Sequence, residues 1–449
     1  MIPNMKHAPA ADQRLSYCVW FWCAVIILGH GVVLNEPFVN FEYAFSEAAR
    51  ALAHPHYTQG MASYWAYQAN PLGYSAIAAL WLRLFDLPAA FWTVRIPALL
   101  GGCAVLFAGK KFYLGLGLGL DRIGLFFLWA GATTLSPMMW IYTGRATSDV
   151  LSTGLVCLAL SYCLLARGRM AYHLLAGTLL GIATLVKFNA LLMGLGFVYI
   201  VFTERYIITQ PLRARLWRLG CCTVLPAALM AVYFWWVYAS FDVFIVADRF
   251  KETHSPWGYA QEFPAILGMY LSYLVMMVGF LALRDPIWVW RQSGRRQAWT
   301  KLLVAAGIAA VACLALPGFD RGEMGYGGFD HLVPRPVFST LRIGCLALGV
   351  VLVVEMVGRA WQGRDHFSAV LCSAVFPFLV VSSFSRPAQR YLLLCFPLLL
   401  FELIVRAPAL LKQTTRRLGW ASVPLFAVLS LVGVVYATCL LYTSPSPRD

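Results

Sequence analysis

The stretch PLGYSAIAALWLRLFDL, residues 71–87, decides how the rest of the chain is laid out. It is apolar and long enough to be weighed as a membrane-crossing helix, which needs about 17–25 residues. Counting it as a span would move every later connection to the other side, so that the basic clusters would lie outside. Lys and Arg concentrate on the cytoplasmic side of membrane proteins. The stretch also carries Arg83 and Asp86. It therefore reads as a helix lying on or dipping into the outer face.

Working outward, the 449-residue chain is 60% hydrophobic and only 12% charged, with a mean hydropathy of +0.70. These values lie far outside the soluble range and predict an all-α polytopic membrane protein. Apolar runs fall at 16–34, 95–111, 122–142, 149–166, 171–187, 189–204, 219–240, 264–283, 302–317, 338–357, 367–384, 391–406 and 419–438, about thirteen spans in all. With the N-terminus in the cytoplasm, the inner connections hold Lys110, Lys111 and Arg122; Arg167 and Arg169; Arg205, Arg213, Arg215 and Arg218; Arg284, Arg291, Arg295, Arg296 and Lys301; Arg359 and Arg364; and Lys412, Arg416 and Arg417. Most carboxylates then face outward, as the positive-inside rule expects.

The net charge of +15 sits between spans rather than in a basic stripe interleaved with exposed aromatics, which argues against a nucleic-acid partner. Twelve cysteines include no C-x-x-C pair. Cys103, Cys157, Cys163, Cys313, Cys372 and Cys395 lie in apolar runs and read as small core residues. No small-residue cleavage site follows the first apolar run, which predicts an uncleaved first span. Residues 439–449, CLLYTSPSPRD, break from an apolar run into a Ser/Pro tail identical to one reading frame of a common transposase sequencing adaptor. The expectation is a single domain over residues 1–438, a non-native tail, and a natural continuation missing beyond Thr438.

The same reading makes 34–94 the longest outer loop. Within it FEYAFSEAARAL, residues 41–52, puts Phe41, Phe45, Ala48, Ala49 and Leu52 on one helical face and turns Glu42, Glu47 and Arg50 away. Tyr57, Tyr64, Trp65 and Tyr67 follow, suited to the headgroup region. LGLGLGL, residues 114–120, follows no predicted strand and reads as turn and packing glycines rather than a phosphate loop. His54, His56, His254 and His331 lack metal-ligand spacing and read as loop histidines. Asp248, Glu252, Glu262, Asp320, Glu323 and Asp330 fall in later outer loops. Glu355 and Glu402 each precede an arginine by four residues, Arg359 and Arg406, which predicts helical ion pairs.

Several short motifs occur in a set order: Glu42 leading to Ala49, Arg50 and Leu52; Asn70-Pro71-Leu72; Leu84-Phe85-Asp86; Arg95-Ile96-Pro97; YTGRATSD from Tyr142 to Asp149; Gly177, Gly181, Ala183, Leu185 and Lys187; and Arg390-Tyr391-Leu392-Leu393 with Pro397. In that order they resemble the GT-C superfamily of membrane glycosyltransferases, in the protein O-mannosyltransferase and aminoarabinose transferase branch labelled glycosyltransferase families 39 and 83. Phe41 stands where the family has Asp. The resemblance implies sugar transfer from a polyprenyl-phosphate donor to a lipid, glycan or protein acceptor, with inversion, at the outer face of a bacterial inner membrane.

Such chemistry needs a carboxylate to take the acceptor proton, and cations or a divalent metal ion where the lipid phosphate departs. The resemblance points to Glu42 as base, with Glu36 as a second candidate. It gives Asp149 an orienting role towards acceptor or cation and assigns phosphate to Lys187, Arg390 and Arg145, with Arg95 and Arg83 as further candidates. Read locally, Asp149 could instead pair with Arg145 one turn away, and Lys187 and Arg390 could snorkel to the interface. The alternatives to an enzyme are a secondary transporter or lipid flippase, which would need repeat symmetry, and a catalytically silent relative.

Overall fold

The computed structural model describes residues 8–32, 34–35, 42–53, 71–85, 91–166, 169–203, 211–241, 262–315, 334–362, 366–384 and 389–443. Among these residues the chain is helical with no β-strand. The helices are α1 (Ala8–Gly31), α2 (Glu42–Ala53), α3 (Gly73–Leu84), α4 (Phe91–Gly115), α5 (Ile123–Thr134), α6 (Pro137–Thr143), α7 (Ser148–Leu165), α8 (Met170–Val186), α9 (Leu195–Thr203), α10 (Leu212–Phe241), α11 (Phe263–Val278), α12 (Arg284–Ala315), α13 (Arg335–Trp361), α14 (His366–Ser382), α15 (Phe396–Ile404) and α16 (Lys412–Thr443). Each apolar run picked from the sequence falls on a helix. Seven are long and apolar enough to cross a membrane by themselves, and several shorter apolar helices accompany them.

The stretch at 71–87 folds as α3, a helix of 12 residues. At about 1.5 Å per residue that is too short to cross a bilayer. It packs within the protein: Tyr74 donates to the Val94 carbonyl at 2.8 Å and Ser75 to the Phe45 carbonyl at 3.0 Å. Together with α2, α3 builds a second core of Phe45, Ala48, Ala49, Tyr74, Ala78 and Val94. The close approach is made at Gly73, where a Cβ would overlap the Leu185 carbonyl at the end of α8.

Three local expectations are corrected. The run 122–142 is two helices bent by 63°, because Ser136 caps a new start by accepting from the Met139 N–H and Pro137 follows at a position where no N–H is needed. The run 264–283 ends as helix at Val278, where Gly279 takes φ 57°, and the basic connection after it is the beginning of α12. Glu42, expected on the polar face of α2, is fully buried. The LGLGLGL stretch does form a turn, with Gly117 at φ 62°.

The main core runs between α4, α7 and α8, and it is set by small residues. A Cβ on Gly154 would collide with the Gly101 carbonyl, and one on Gly101 would lie 2.5 Å from the Leu151 Cα. In a membrane, where lipid is as apolar as any side chain, such close backbone contact is a main source of helix association.

Two buried carboxylates away from that core, Glu402 and Asp285, are paired with arginines. Glu402 lies 3.4 Å from Arg359, 3.7 Å from Arg284 and 3.8 Å from Arg406. Asp285 lies 2.7 Å from Arg284 and 3.6 Å from Arg359. The expected pairing of Glu402 with Arg406 is present. That of Glu355 is not: it meets Lys301 at 3.4 Å, because the field of two buried carboxylates draws Arg359 inward instead.

Candidate active site

α7 begins at Ser148, so Asp149 sits in its first turn, where a helix N-terminus favours a carboxylate. Asp149 is only 3% exposed, and there it needs a partner. The partner comes from the far end of α8. That helix stops at Lys187, whose backbone is extended at φ −157° and ψ 114°, and the break turns its side chain into direct contact with the Asp149 carboxylate. The Lys187 ammonium also stands 4.7 Å over the Tyr391 ring.

Arg390 lies beside Tyr391 on the 3-10 turn Gln389–Leu394 and in the field of Asp149. Asp149, Arg390 and Arg145 are all near enough to Tyr142 to act on its hydroxyl electrostatically. Lys187 is buried against Asp149, and Arg390 and Arg145 are each partly buried near them. Cations gathered where there is little water can hold an anion with mobile charge, such as a phosphate. A divalent cation at Asp149 would first have to displace the Lys187 ammonium.

A second constellation adjoins the first. Arg95 grips Glu42 with two donors, Nε to Oε1 at 2.9 Å and Nη2 to Oε2 at 3.1 Å. The Ala146 N–H adds a third at 2.7 Å, and Arg95 Nη1 reaches the Leu34 carbonyl at 2.8 Å. Protonating a carboxylate so held would forfeit charge-assisted hydrogen bonds. What the pair does structurally is fasten the start of α2 to the start of α4 and to the 143–147 segment that leads to Asp149. His30 steadies the same segment from α1, its ring nitrogens 2.7 Å from the Ile26 carbonyl and 2.9 Å from the Trp140 carbonyl.

Of the residues singled out in the sequence, Asp149, Lys187, Arg390 and Arg145 converge, and Glu42 with Arg95 forms the neighbouring clamp. Asp149 meets Lys187 rather than pairing with Arg145, because the break after α8 delivers an ammonium into its buried first turn. Arg83 lies elsewhere on an exposed edge and donates to the Ala53 carbonyl at 2.8 Å, capping α2. Glu36, Phe41, the loop histidines His54, His56, His254 and His331, and the acids Asp248, Glu252, Asp320, Glu323 and Asp330 lie outside the described residues. Tyr142, Tyr391 and His30 escaped the sequence reading as site neighbours. Only their adjacency to Arg145 and Arg390, or to the end of an apolar run, could have signalled them.

The fold was compared with known proteins. The chain is similar to the crystal structure of ArnT from Cupriavidus metallidurans bound to undecaprenyl phosphate, at 16% identity and a TM-score of 0.41 over 86% of this chain and 78% of that one. It is similar to the apo state of the same protein at 17% identity and a TM-score of 0.38, over 86% and 77% of the two chains. No protein-family profile matches the chain, and no curated protein sequence matches it.

Proposed function

We propose that this chain is a GT-C-type glycosyltransferase that moves a sugar from a polyprenyl-phosphate carrier to an acceptor at the outer face of the membrane, with inversion. The observation that supports the reading is the buried contact between Asp149 and Lys187, with Tyr391 under the ammonium and Arg390 next to it in the chain. The ordered motifs of the sequence lead to the same residues.

Charge bookkeeping supports a division of roles. The donor phosphodiester carries one negative charge, which sums to zero with those of Asp149, Lys187 and Arg390, Arg145 being left at the margin. On transfer the acceptor hydroxyl loses its proton, its oxygen forms the new bond to the anomeric carbon, and the carbon–phosphate oxygen bond breaks. The departing lipid monophosphate then carries a second negative charge. If the proton goes to Asp149, the group stays neutral throughout, which in a site shielded from water is the inexpensive path. Phosphate entering between Lys187 and Arg390 draws the ammonium from Asp149 and frees it to act as base. The base role that the resemblance assigns to Glu42 would break its two-pronged contact with Arg95, so in the proposal Glu42 serves as the clamp that holds 143–147. Tyr142 and Arg145 border the place an acceptor would occupy.

The test is transfer in liposomes from radiolabelled undecaprenyl-phosphate sugars to a panel of lipid, glycan and peptide acceptors. The expected result is product from at least one pairing, lost in Lys187→Met and Arg390→Met. Undecaprenyl phosphate bound without turnover of any donor would point to a silent relative and defeat the enzymatic reading.

A further inference from the structure

Cys163 near the end of α7, His173 in the first turns of α8 and Cys222 in α10 come together although they are far apart in sequence. Each is fully or almost fully buried. The His173 Nδ1 lies 3.9 Å from the Cys163 sulfur and 3.8 Å from the Cys222 sulfur, and the three ligand atoms lie within 4.8 Å of one another. Neither thiol is in a disulfide.

We propose that these residues form a structural site for a thiophilic d10 metal ion, Zn²⁺ or Cu⁺, pinning α7, α8 and α10 together. Metal bonds of about 2.3 Å to sulfur and about 2.0 Å to nitrogen place the ligand atoms about 3.6 Å apart, close to the spacing already present. Two thiolates and an imidazole are the donors such ions prefer. With a divalent ion the cluster is neutral, as a buried site requires. The frame is rigid: a Cβ on Gly177, one turn after His173, would strike the Cys221 carbonyl and lie 3.1 Å from the Cys222 Cα. The site is separate from the candidate active site, since Asp149 and Cys163 are about 21 Å apart along α7.

The sequence reading took Cys163 as a core filler because no short ligand spacing marks it. The three ligands are supplied by helix packing.

The experiment uses the full chain purified in detergent without a polyhistidine tag. Metal content is read by mass spectrometry, followed by separate titrations with Zn²⁺ and Cu⁺ and by Co²⁺ substitution. The expected result is about one equivalent of metal per chain, with a sulfur-to-cobalt charge-transfer band in the near ultraviolet. Both are lost in the Cys163→Ser/Cys222→Ser double variant, checked for folding by circular dichroism and gel filtration, and retained in Cys157→Ser. The stronger of the two titrations identifies the ion. Metal equal in the native chain and the double variant would overturn the proposal, as would native protein that takes up none of the three ions while its thiols remain unmetallated or become joined as a disulfide.

Discussion

Arg95 and Glu42 form a buried two-pronged ion pair, 2.9 Å and 3.1 Å across its prongs, between the start of α4 and the start of α2. Both side chains are at most 3% exposed. Pairs of this kind add little net stability over apolar packing, yet breaking one partner leaves the other charged and buried, at a cost of about 3–5 kcal/mol. Arg95→Leu should therefore lower the thermal unfolding midpoint sharply in detergent. The double variant Arg95→Leu/Glu42→Leu should be destabilised by clearly less than the sum of the single changes, because no lone charge remains.

The anion site yields a binding prediction. Charge-assisted hydrogen bonds are worth about 1.5–3 kcal/mol each, so Lys187→Met or Arg390→Met should weaken undecaprenyl phosphate binding by about tenfold or more. Arg83→Ala removes a cation that only caps α2 and should leave affinity unchanged. Titration of the lipid phosphate into nanodisc-embedded protein, followed by native mass spectrometry, measures all three.

Helix packing yields a third. Gly154→Ala would drive a methyl into the Gly101 carbonyl across the α4–α7 crossing. Overpacking of this kind costs about 1–3 kcal/mol. Gly124→Ala, where nothing lies within 4 Å of the added Cβ, is the matched control and should unfold with the native chain.

The inner charge group yields a fourth. Glu402 faces Arg284, Arg359 and Arg406, with Asp285 as the other carboxylate of that group. Glu402→Gln should destabilise by several kcal/mol, on the order of the cost of an uncompensated buried charge. Glu355→Gln removes the mostly buried partner of a half-exposed Lys301, whose ammonium can turn to solvent, and should cost clearly less than Glu402→Gln. Thermal unfolding of the two variants side by side decides the matter.

How much of this was legible in the sequence follows from the range of each interaction. Helical runs are local properties of hydropathy and length and read directly, whereas 71–87 was set apart from the spans by the charge of the connections that follow it, together with Arg83 and Asp86. The Ser136-Pro137 start was also local, but a continuous apolar run masked it. Asp149 and Lys187 were each singled out as candidates; their direct contact depends on a helix break at Lys187 that hydropathy does not encode. Glu42 was expected on the polar face because amphipathic periodicity assumes water on one side, whereas a buried arginine from α4 takes that place. The Cys163, His173 and Cys222 cluster lay beyond reach, since only the packing of three helices brings it together.

The most direct measurement is single-turnover transfer by Asp149→Asn beside Glu42→Gln, both first shown to be folded. The account predicts that Asp149→Asn binds the donor at least as tightly as the native chain, having lost a negative charge, and transfers sugar about 10²-fold or more slowly. Native-rate transfer by Asp149→Asn, with folded Glu42→Gln inert, would contradict it.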